Sequence, residues 1–325
     1  MRTVRILQTR AETVQIVFPE HANDQGSLYG GRMMAWIATT GTLAASRLAR
    51  GAVVLGAMDE LNFLRPVRVG EVVTLEALVT DVGRSSLEVK VEVYAEDPRT
   101  ETRRHTTSAH LAFVAVDEAG RPRPVGARVV AETEEEERLL RAARKRREER
   151  LARIEAHRAP PQIPQPARHT VRSVRMVFPE DAIPGNLLFA GNLMMLLDEH
   201  AAIVATRYAR GPVVTASVDA LDFVNPVRVG QILHLLAALN FVGRSSMEVG
   251  LWVCVEDPFS GAMQHTCTTF VTLVHVNSEG RPHPLPPYVP ETPEEQARYE
   301  AAMARRAQRL HRRETLRWSC GGSRP

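Results

Sequence analysis

The sequence has few cysteines, and their spacing offers no obvious way to pair them or bind a metal. Cys254, Cys267 and Cys320 are the three cysteines among 325 residues. An odd number of thiols without a CxxC pair or a Cys/His cluster is typical of neither a disulfide framework nor a zinc site. We therefore expect free thiols and no bound metal.

Long apolar runs are also missing. No run approaches the roughly 18 residues that a membrane-spanning helix requires, and residues Met1–Arg10 lack the apolar segment of a signal peptide. A chain that is 44% hydrophobic and 24% charged has the composition of a soluble globular protein. These features predict a cytoplasmic protein that does not insert into a membrane.

Lysine is scarce, because Lys90 and Lys145 are the only two, so arginine supplies nearly all of the positive charge behind the net +3. Much of that arginine lies in two charged segments and is not grouped with aromatic residues, which make up 5% of the chain. Nucleic-acid binding requires basic residues grouped with groove-reading or stacking elements. We expect no nucleic-acid partner.

The chain contains an internal repeat at a spacing of 160 residues. Four segments of the first half return in the second half in the same order. Such a long period indicates a duplicated domain and not a short-period solenoid. The matching pairs are Val17–Glu20 with Val177–Glu180, Phe63–Gly70 with Phe223–Gly230, Val82–Ser86 with Val242–Ser246, and Gly120–Pro122 with Gly280–Pro282.

Each repeat has the same predicted secondary structure. A strand at Thr13–Phe18 or Ser173–Phe178 precedes a long helix, and four strands follow it. The helices are predicted at Tyr29–Ala49 and Phe189–Ala209, each stopped by a glycine after a basic last turn. The first-repeat strands are predicted at Val53–Phe63, Glu71–Val82, Ser86–Glu96 and His105–Val116, with equivalents 160 residues later. Period-two alternation, as in Leu87–Val93, favours half-buried antiparallel strands.

This order predicts an α+β fold in which a curled antiparallel sheet surrounds a long helix, and in which the two repeats pair as an internal pseudo-dimer. We divide the chain into residues 1–130, 131–168, 169–290 and 291–325. The first and third are the repeats. The others hold charged segments, with a stiff linker at Pro160–Pro166.

The charged segments begin with acidic runs, at Glu132–Glu137 and Glu291–Glu295, and continue with mostly basic residues. That order suits the helix dipole and allows i,i+4 ion pairs, so we interpret both as solvated helices. Binding to nucleic acid or to an acidic partner is the alternative interpretation.

Two features of the helices point to chemistry. Asp198 and Glu199 interrupt an otherwise apolar helix, and a buried carboxylate is costly unless it is paired, metal-bound or catalytic. Gly30 and Gly31 open the first helix, where unpaired backbone N–H groups are suited to an anion or a developing oxyanion. Close packing of the backbone would explain the two glycines equally well.

Together these motifs resemble the hotdog-fold acyl-CoA thioesterases, in particular the tandem-hotdog acyl-CoA hydrolases. The motifs are Ala-Asn-x-x-Gly-x-Leu-Tyr-Gly-Gly from Ala22, Met-x-Leu-Leu-Asp-Glu from Met194, Asp-Phe-x-x-Pro-Val-x-Val-Gly from Asp222 and Gly-Arg-Ser-Ser-Met-Glu-Val from Gly243. The resemblance covers residues 13–124 and 173–284. It implies two hotdog domains in one chain, a sheet wrapped around each central helix, and hydrolysis of acyl-CoA to a free acid and CoA.

The resemblance also implies that a loop asparagine of one hotdog acts with a helix aspartate of the other. Asn23 corresponds to Ile183 in the second repeat, and Asp198 corresponds to Ala38 in the first. The first repeat therefore has the asparagine but lacks the aspartate, and the second repeat has the aspartate but lacks the asparagine. Of the two composite sites in such a pair, only Asn23 with Asp198 can do polar chemistry.

Thioester hydrolysis builds negative charge on the carbonyl oxygen, and donors aimed at that oxygen supply much of the catalysis. We assign this role to the Asn23 side-chain amide and the Gly31 N–H, with Gly30 allowing close approach. Asp198 acts as a general base on water or as a nucleophile, and the sequence leaves both routes open.

The Arg84-Ser85-Ser86 motif recurs as Arg244-Ser245-Ser246. Arginine and hydroxyl donors suit the phosphates of CoA, although a structured hairpin turn is an equal alternative. His200 lies beside the acidic pair but corresponds to Thr40, so we assign it no catalytic role.

The sequence therefore predicts an acyl-CoA thioesterase with one competent site per chain and no cofactor, since CoA is part of the substrate. The alternatives are a non-catalytic acyl-CoA-binding or regulatory hotdog protein and, less favoured, a hotdog dehydratase. The resemblance further implies a homo-oligomer in which three chains form a ring of six hotdogs.

Overall fold

The computed structural model describes residues 1–156 and 168–320, and the predicted linker at Pro160–Pro166 lies outside this range. The helices are α1 Gly30–Ala49, α2 Glu134–Ala156, α3 Ala190–Ala209 and α4 Pro293–Cys320. The strands of the first repeat are β1 Arg2–Arg5, β2 Ala11–Ile16, β3 Val53–Met58, β4 Leu61–Asn62, β5 Val72–Val82, β6 Ser86–Asp97, β7 Thr102–Ala115 and β8 Ala127–Val130. Those of the second are β9 Thr170–Met176, β10 Ala182–Ile183, β11 Leu187–Leu188, β12 Val213–Val218, β13 Leu221–Asp222, β14 Ile232–Val242, β15 Ser246–Glu256 and β16 Met263–His275.

Each repeat forms a six-stranded antiparallel sheet packed on its own long helix. The strand orders are β13-β3-β7-β6-β5-β2 and β4-β12-β16-β15-β14-β9. Side chains of α1, α3 and both sheets belong to one continuous apolar core, in which Ile37 and Leu111 are fully buried. The α+β hotdog fold and the pairing of two repeats are therefore confirmed.

A short strand from each repeat completes the sheet of the other. β4 pairs with β12, and β13 pairs with β3. The predicted strand Val53–Phe63 was wrong in its continuity, because it breaks at Asp59–Glu60 and its two parts join different sheets. Because each sheet needs a strand of its neighbour, the two repeats are joined by backbone hydrogen bonds as well as by the core.

The stop signals of the two long helices differ in detail from the prediction. The residue with a left-handed backbone is Arg50, with φ 51°, or Arg210, with φ 54°, and not the glycine that follows. A Cβ on Gly51 would lie 2.4 Å from Nη2 of Arg123. The glycine after α1 therefore makes room for a neighbouring side chain.

The prediction that the charged helices are solvated was wrong for one face of each. Glu136 is 0% exposed and Arg150 5% exposed on α2. Arg150 donates to Oε2 of Glu88 at 3.0 Å and to Oδ2 of Asp59 at 2.7 Å. On α4, Arg309 repeats the arrangement with Glu248 at 2.6 Å. The arginines thus attach these helices to carboxylates on the sheets.

None of the helices in residues 1–156 and 168–320 combines the length and apolar character needed to cross a membrane.

Candidate active site

The start of α1 crosses the middle of α3 at very short range. A Cβ on Gly31 would lie 2.9 Å from the Cα of Met195 and 2.9 Å from the Cβ of Asp198. A Cβ on Gly30 would lie 2.9 Å from the Cβ of Thr215 on β12. Real Cβ atoms do not approach other atoms so closely, so both positions require glycine. The close-packing explanation of Gly30-Gly31 therefore holds, and it brings residues of both repeats together.

Asp198 lies at this crossing and is 1% exposed. Its Oδ2 accepts a hydrogen bond of 2.7 Å from the Gly31 backbone N–H, and its Oδ1 accepts one of 2.7 Å from the Thr215 hydroxyl. Burial raises the pKa of the Asp198 carboxyl, while these two hydrogen bonds act in the opposite direction. The result is a desolvated carboxylate held in one orientation, which suits proton abstraction or direct attack.

The hydrogen bond to Asp198 gives the Gly31 amide a different partner from the carbonyl oxygen assigned to it from the sequence. This amide belongs to the unpaired N–H groups of the first turn of α1. In the structure it helps to orient the carboxylate. Gly30 precedes it and lines the cavity that Asn23 also lines.

Asn23 is held by its own loop. Its Oδ1 accepts hydrogen bonds of 3.0 Å from the backbone N–H groups of Gln25 and Ser27. The turn continues through Gly26, whose φ of 67° favours glycine. Because Oδ1 is occupied by the loop, Nδ2 is the polar atom of this side chain that remains for another acceptor.

Asn23 and Asp198 line two adjoining cavities. The first, of about 200 Å³, is lined by Asn23, Gly30 and Thr215 together with mainly apolar side chains. The second, of about 540 Å³, is lined by Asp198, Gly31 and several charged side chains. Tyr29 and Ala202 line both. The loop of the first repeat and the helix of the second therefore line adjoining cavities, and their joint action in one site stays a prediction.

At the pseudo-equivalent position, formed by the loop of the second repeat and α1, apolar residues replace the polar residues described above. Ile183 replaces Asn23, Ala38 replaces Asp198 and Leu55 replaces Thr215. Phe189 and Ala190 stand at the equivalents of Tyr29 and Gly30. Thr215 was not among the site residues predicted from the sequence, although the difference between Leu55 and Thr215 at equivalent positions of the repeats was a visible signal of it.

The two Arg-Ser-Ser motifs form hairpin turns. In the first, the Gly83 N–H donates to the Ser86 carbonyl oxygen at 2.8 Å, and the Gly243 N–H donates to Ser246 likewise at 2.8 Å. The arginines, Arg84 and Arg244, are exposed. Residues 84–86 and 244–246 line neither of the two cavities, so a role in binding CoA stays a prediction.

His200 has partners on both ring nitrogens. Nδ1 lies 2.7 Å from the Leu196 carbonyl oxygen, and Nε2 lies 2.7 Å from Oγ of Ser173. The histidine thus connects α3 to β9 and has a structural role. Within the described part of the chain, no group of three His, Cys, Asp or Glu side chains is placed to hold a metal.

Comparisons with known proteins identify relatives of this chain. The model of the thioesterase superfamily matches residues 25–102 and 185–259. The chain is 30% identical to the cytosolic acyl coenzyme A thioester hydrolase of Mus musculus, covering 92% of this chain and 83% of that protein. It is 29% identical to the acetyl-coenzyme A thioesterase of the same species, covering 92% and 57%. A solved hexameric acyl-CoA thioesterase matches 47% of this chain and 98% of its own, with 36% identity and a TM-score of 0.45.

Proposed function

The chain belongs to the thioesterase superfamily, and from that premise we propose that it hydrolyses acyl-CoA thioesters to a free acid and CoA. The observation that carries the proposal is the buried carboxylate of Asp198, oriented by Thr215 and Gly31 beside the cavity that Asn23 lines. A buried charge without a cationic partner is costly to the fold, even when it accepts hydrogen bonds, and is typical of catalytic positions.

In the proposed reaction, Asp198 removes a proton from water as the water oxygen bonds to the thioester carbonyl carbon. The carbon–sulfur bond then breaks, and CoA leaves as a thiolate that takes up the proton. A carboxyl with a raised pKa is a stronger base than a solvated one. Direct attack by Oδ1 or Oδ2, followed by hydrolysis of the anhydride, is the second route, and both need the same ionised carboxylate.

The developing oxyanion needs donors that are not already engaged. We assign this role to Nδ2 of Asn23 and to the backbone N–H of Gly30, because both residues line the same cavity. The Gly31 amide then orients Asp198 and does not contact the carbonyl oxygen. The mainly apolar lining of this cavity, which includes Met33, Phe63 and Val213, suits the acyl chain.

Only one such site exists per chain in this proposal. At the pseudo-equivalent position, Ile183, Ala38 and Leu55 supply neither a base nor an oxyanion donor. Two hotdog domains therefore act as one catalytic unit.

The test is release of the CoA thiol, followed with a thiol-reactive dye, from acyl-CoAs with short, medium and long chains. We expect turnover that rises with protein concentration and is lost in Asp198→Ala. Binding of the same acyl-CoAs without release of thiol would instead support the non-catalytic alternative.

We also propose a ring of three chains in the cytosol. β2 and β9 are terminal strands of the two sheets. Val14 on β2 and Val174 on β9 are about half exposed, as are Phe18 and Phe178, which lie two residues after the ends of these strands. Exposed apolar edge strands are typical of surfaces that pair with another chain. Light scattering should give three times the chain mass of 36.1 kDa, and a monomer would contradict the assembly.

A further inference from the structure

The cavity beside Asp198 continues as a groove along α3. Its floor is one side of the helix, where Ala202, Ile203 and Thr206 lie between the carboxylate and Arg207, and Met195 lies about one turn before the carboxylate. Residues of the first repeat, among them Tyr29 and Arg32, form the opposite wall. The lining of the groove combines these apolar side chains with charged side chains, and Arg207 makes its far end basic.

Arg207 also lines a third cavity, of about 360 Å³, together with His169 and Arg210. Both arginines are exposed, and neither side chain makes an ion pair or hydrogen bond within residues 1–156 and 168–320. Their charges are thus not neutralised by protein carboxylates. The acidic side chains of the groove other than Asp198 are Glu199, one residue after it on α3, and Glu20 on the opposite wall.

The length of the groove fits the arm of CoA. A helix rises about 1.5 Å per residue, which places Arg207 roughly 14 Å and Arg210 roughly 18 Å along α3 from Asp198. About thirteen bonds join the thioester sulfur to the pyrophosphate, as many as in four residues of extended chain, and they span roughly 15 Å. A thioester beside Asp198 would therefore bring its phosphates to the arginines.

We propose that the pantetheine arm of CoA lies in this groove, that Arg207 binds the pyrophosphate and that Arg210 binds the 3′-phosphate. This assignment rests on the proposed thioesterase function and adds the binding mode of the leaving group. Arginine binds phosphate through two parallel N–H donors. The apolar floor suits the dimethyl group of the arm, and the assignment differs from the Arg-Ser-Ser hairpins predicted from the sequence.

Basic residues in the last turn also stabilise a helix through its dipole, and the duplicated chain provides a control for that effect. Arg47 and Arg50 occupy the equivalent positions on α1, whose groove would lead to Ala38. A purely structural role predicts that Arg47→Ala and Arg207→Ala behave alike. A role in binding CoA predicts that only Arg207→Ala changes the kinetics.

The experiment compares kcat and KM for an acyl-CoA and for the matching acyl-pantetheine, which lacks the nucleotide and all phosphates. Arg207→Ala should raise KM for acyl-CoA by roughly tenfold, the usual consequence of losing a charged hydrogen bond, with kcat nearly unchanged. KM for acyl-pantetheine should not change. Arg210→Ala should raise KM for acyl-CoA but not for acyl-3′-dephospho-CoA.

The proposal is overturned if Arg207→Ala raises KM equally for both substrates, if Arg47→Ala has the same effect, or if the loss appears in Arg244→Ala instead. The affinity of free CoA, measured by calorimetry, gives an independent readout. If wild type binds CoA but releases no thiol, the proposed function fails. The proposed binding mode is then tested by whether Arg207→Ala raises the Kd for free CoA.

Discussion

The two composite positions of the pseudo-dimer share one backbone arrangement and differ in nearly every polar group. One has Asp198, Asn23 and Thr215, and the other has Ala38, Ile183 and Leu55. Ala38 is 1% exposed, as is Asp198, so the fold accepts either an alanine or a carboxylate at the same depth. The difference teaches that the helix crossing belongs to the architecture, whereas the carboxylate and its donors can be removed from one side without loss of the fold.

Comparison with the apolar position also indicates that the buried carboxylate of Asp198 lowers the stability of the fold. A carboxylate without a cationic partner is unfavourable in a buried site, and Asp198 receives only two hydrogen bonds in compensation. The chain keeps a buried carboxylate at one position and has an apolar residue at the equivalent one. This difference is expected where a functional residue is retained although it lowers stability.

The largest effect should come from removing the base. Asp198→Asn keeps the shape of the side chain and one acceptor oxygen, which can still face the Gly31 N–H while its NH2 group donates to the Thr215 hydroxyl oxygen. It cannot take up a proton, so we expect kcat to fall by at least roughly a hundredfold. The control is Asp181→Asn, which changes a buried carboxylate in the loop of the apolar position and should leave kcat within about twofold. Near-normal turnover of Asp198→Asn would refute both the base and the nucleophile assignments.

The second effect concerns the oxyanion. Loss of one donor typically lowers kcat by about a hundred- to a thousandfold, and we expect a reduction towards the lower end for Asn23→Ala because Gly30 remains. The matched variant Ile183→Ala truncates the same position in the other repeat and should not change kcat. Steady-state rates on one acyl-CoA separate the two, and equal losses would mean that Asn23 acts only by shaping its loop.

Much of the architecture was predictable from the sequence because the pattern of each helix and main strand occurs twice, once in each repeat. Both long helices begin within one residue of their predicted starts. The presence of Asn23 in one repeat and of Asp198 in the other led to the prediction of a composite site. Local patterns cannot show which sheet a strand joins, and so the exchange of β4 and β13 between sheets was not foreseen.

Two features of the site and its surroundings also needed the three-dimensional structure. A charged pattern looks solvated when read alone, but Arg150 of α2 finds carboxylates that are distant in sequence. Similarly, the Gly31 amide was assigned to the substrate because the sequence does not show that the Asp198 side chain reaches it. Tertiary partners of polar groups are the information that local sequence patterns do not contain.

A smaller effect should follow from removing the Thr215 hydroxyl. Its hydrogen bond lowers the pKa of Asp198 against the effect of burial, so Thr215→Val should raise that pKa further. Because the base acts in its ionised form, the acidic limb of the pH profile of kcat/KM should move to higher pH. Leu55→Val, at the equivalent position, should leave the limb in place. A limb that moves to lower pH would contradict this account.

The smallest expected effect is a change in the stability of the fold when the charge of Asp198 is removed. The pKa of Asp198 is raised in the folded protein, so the folded state binds more protons than the unfolded state between the two pKa values. The free energy of unfolding therefore decreases as pH rises from the unfolded value, about 4, through the folded value, and it stays lower above it. At neutral pH, Asp198→Asn should consequently have a higher Tm than wild type, by roughly 2 °C for each kcal/mol gained.

That gain should shrink as the pH is lowered towards the unfolded value, because Asp198 is then protonated in both states of the wild type. Calorimetric scans at several pH values measure the difference in Tm between the two proteins. Asp181→Asn provides a contrast, because its carboxylate accepts a hydrogen bond of 2.6 Å from Arg175 and its loss should lower Tm. An Asp198→Asn protein that is less stable than wild type at neutral pH would show that the carboxylate stabilises the helix crossing, and the cost inferred from Ala38 would then be wrong.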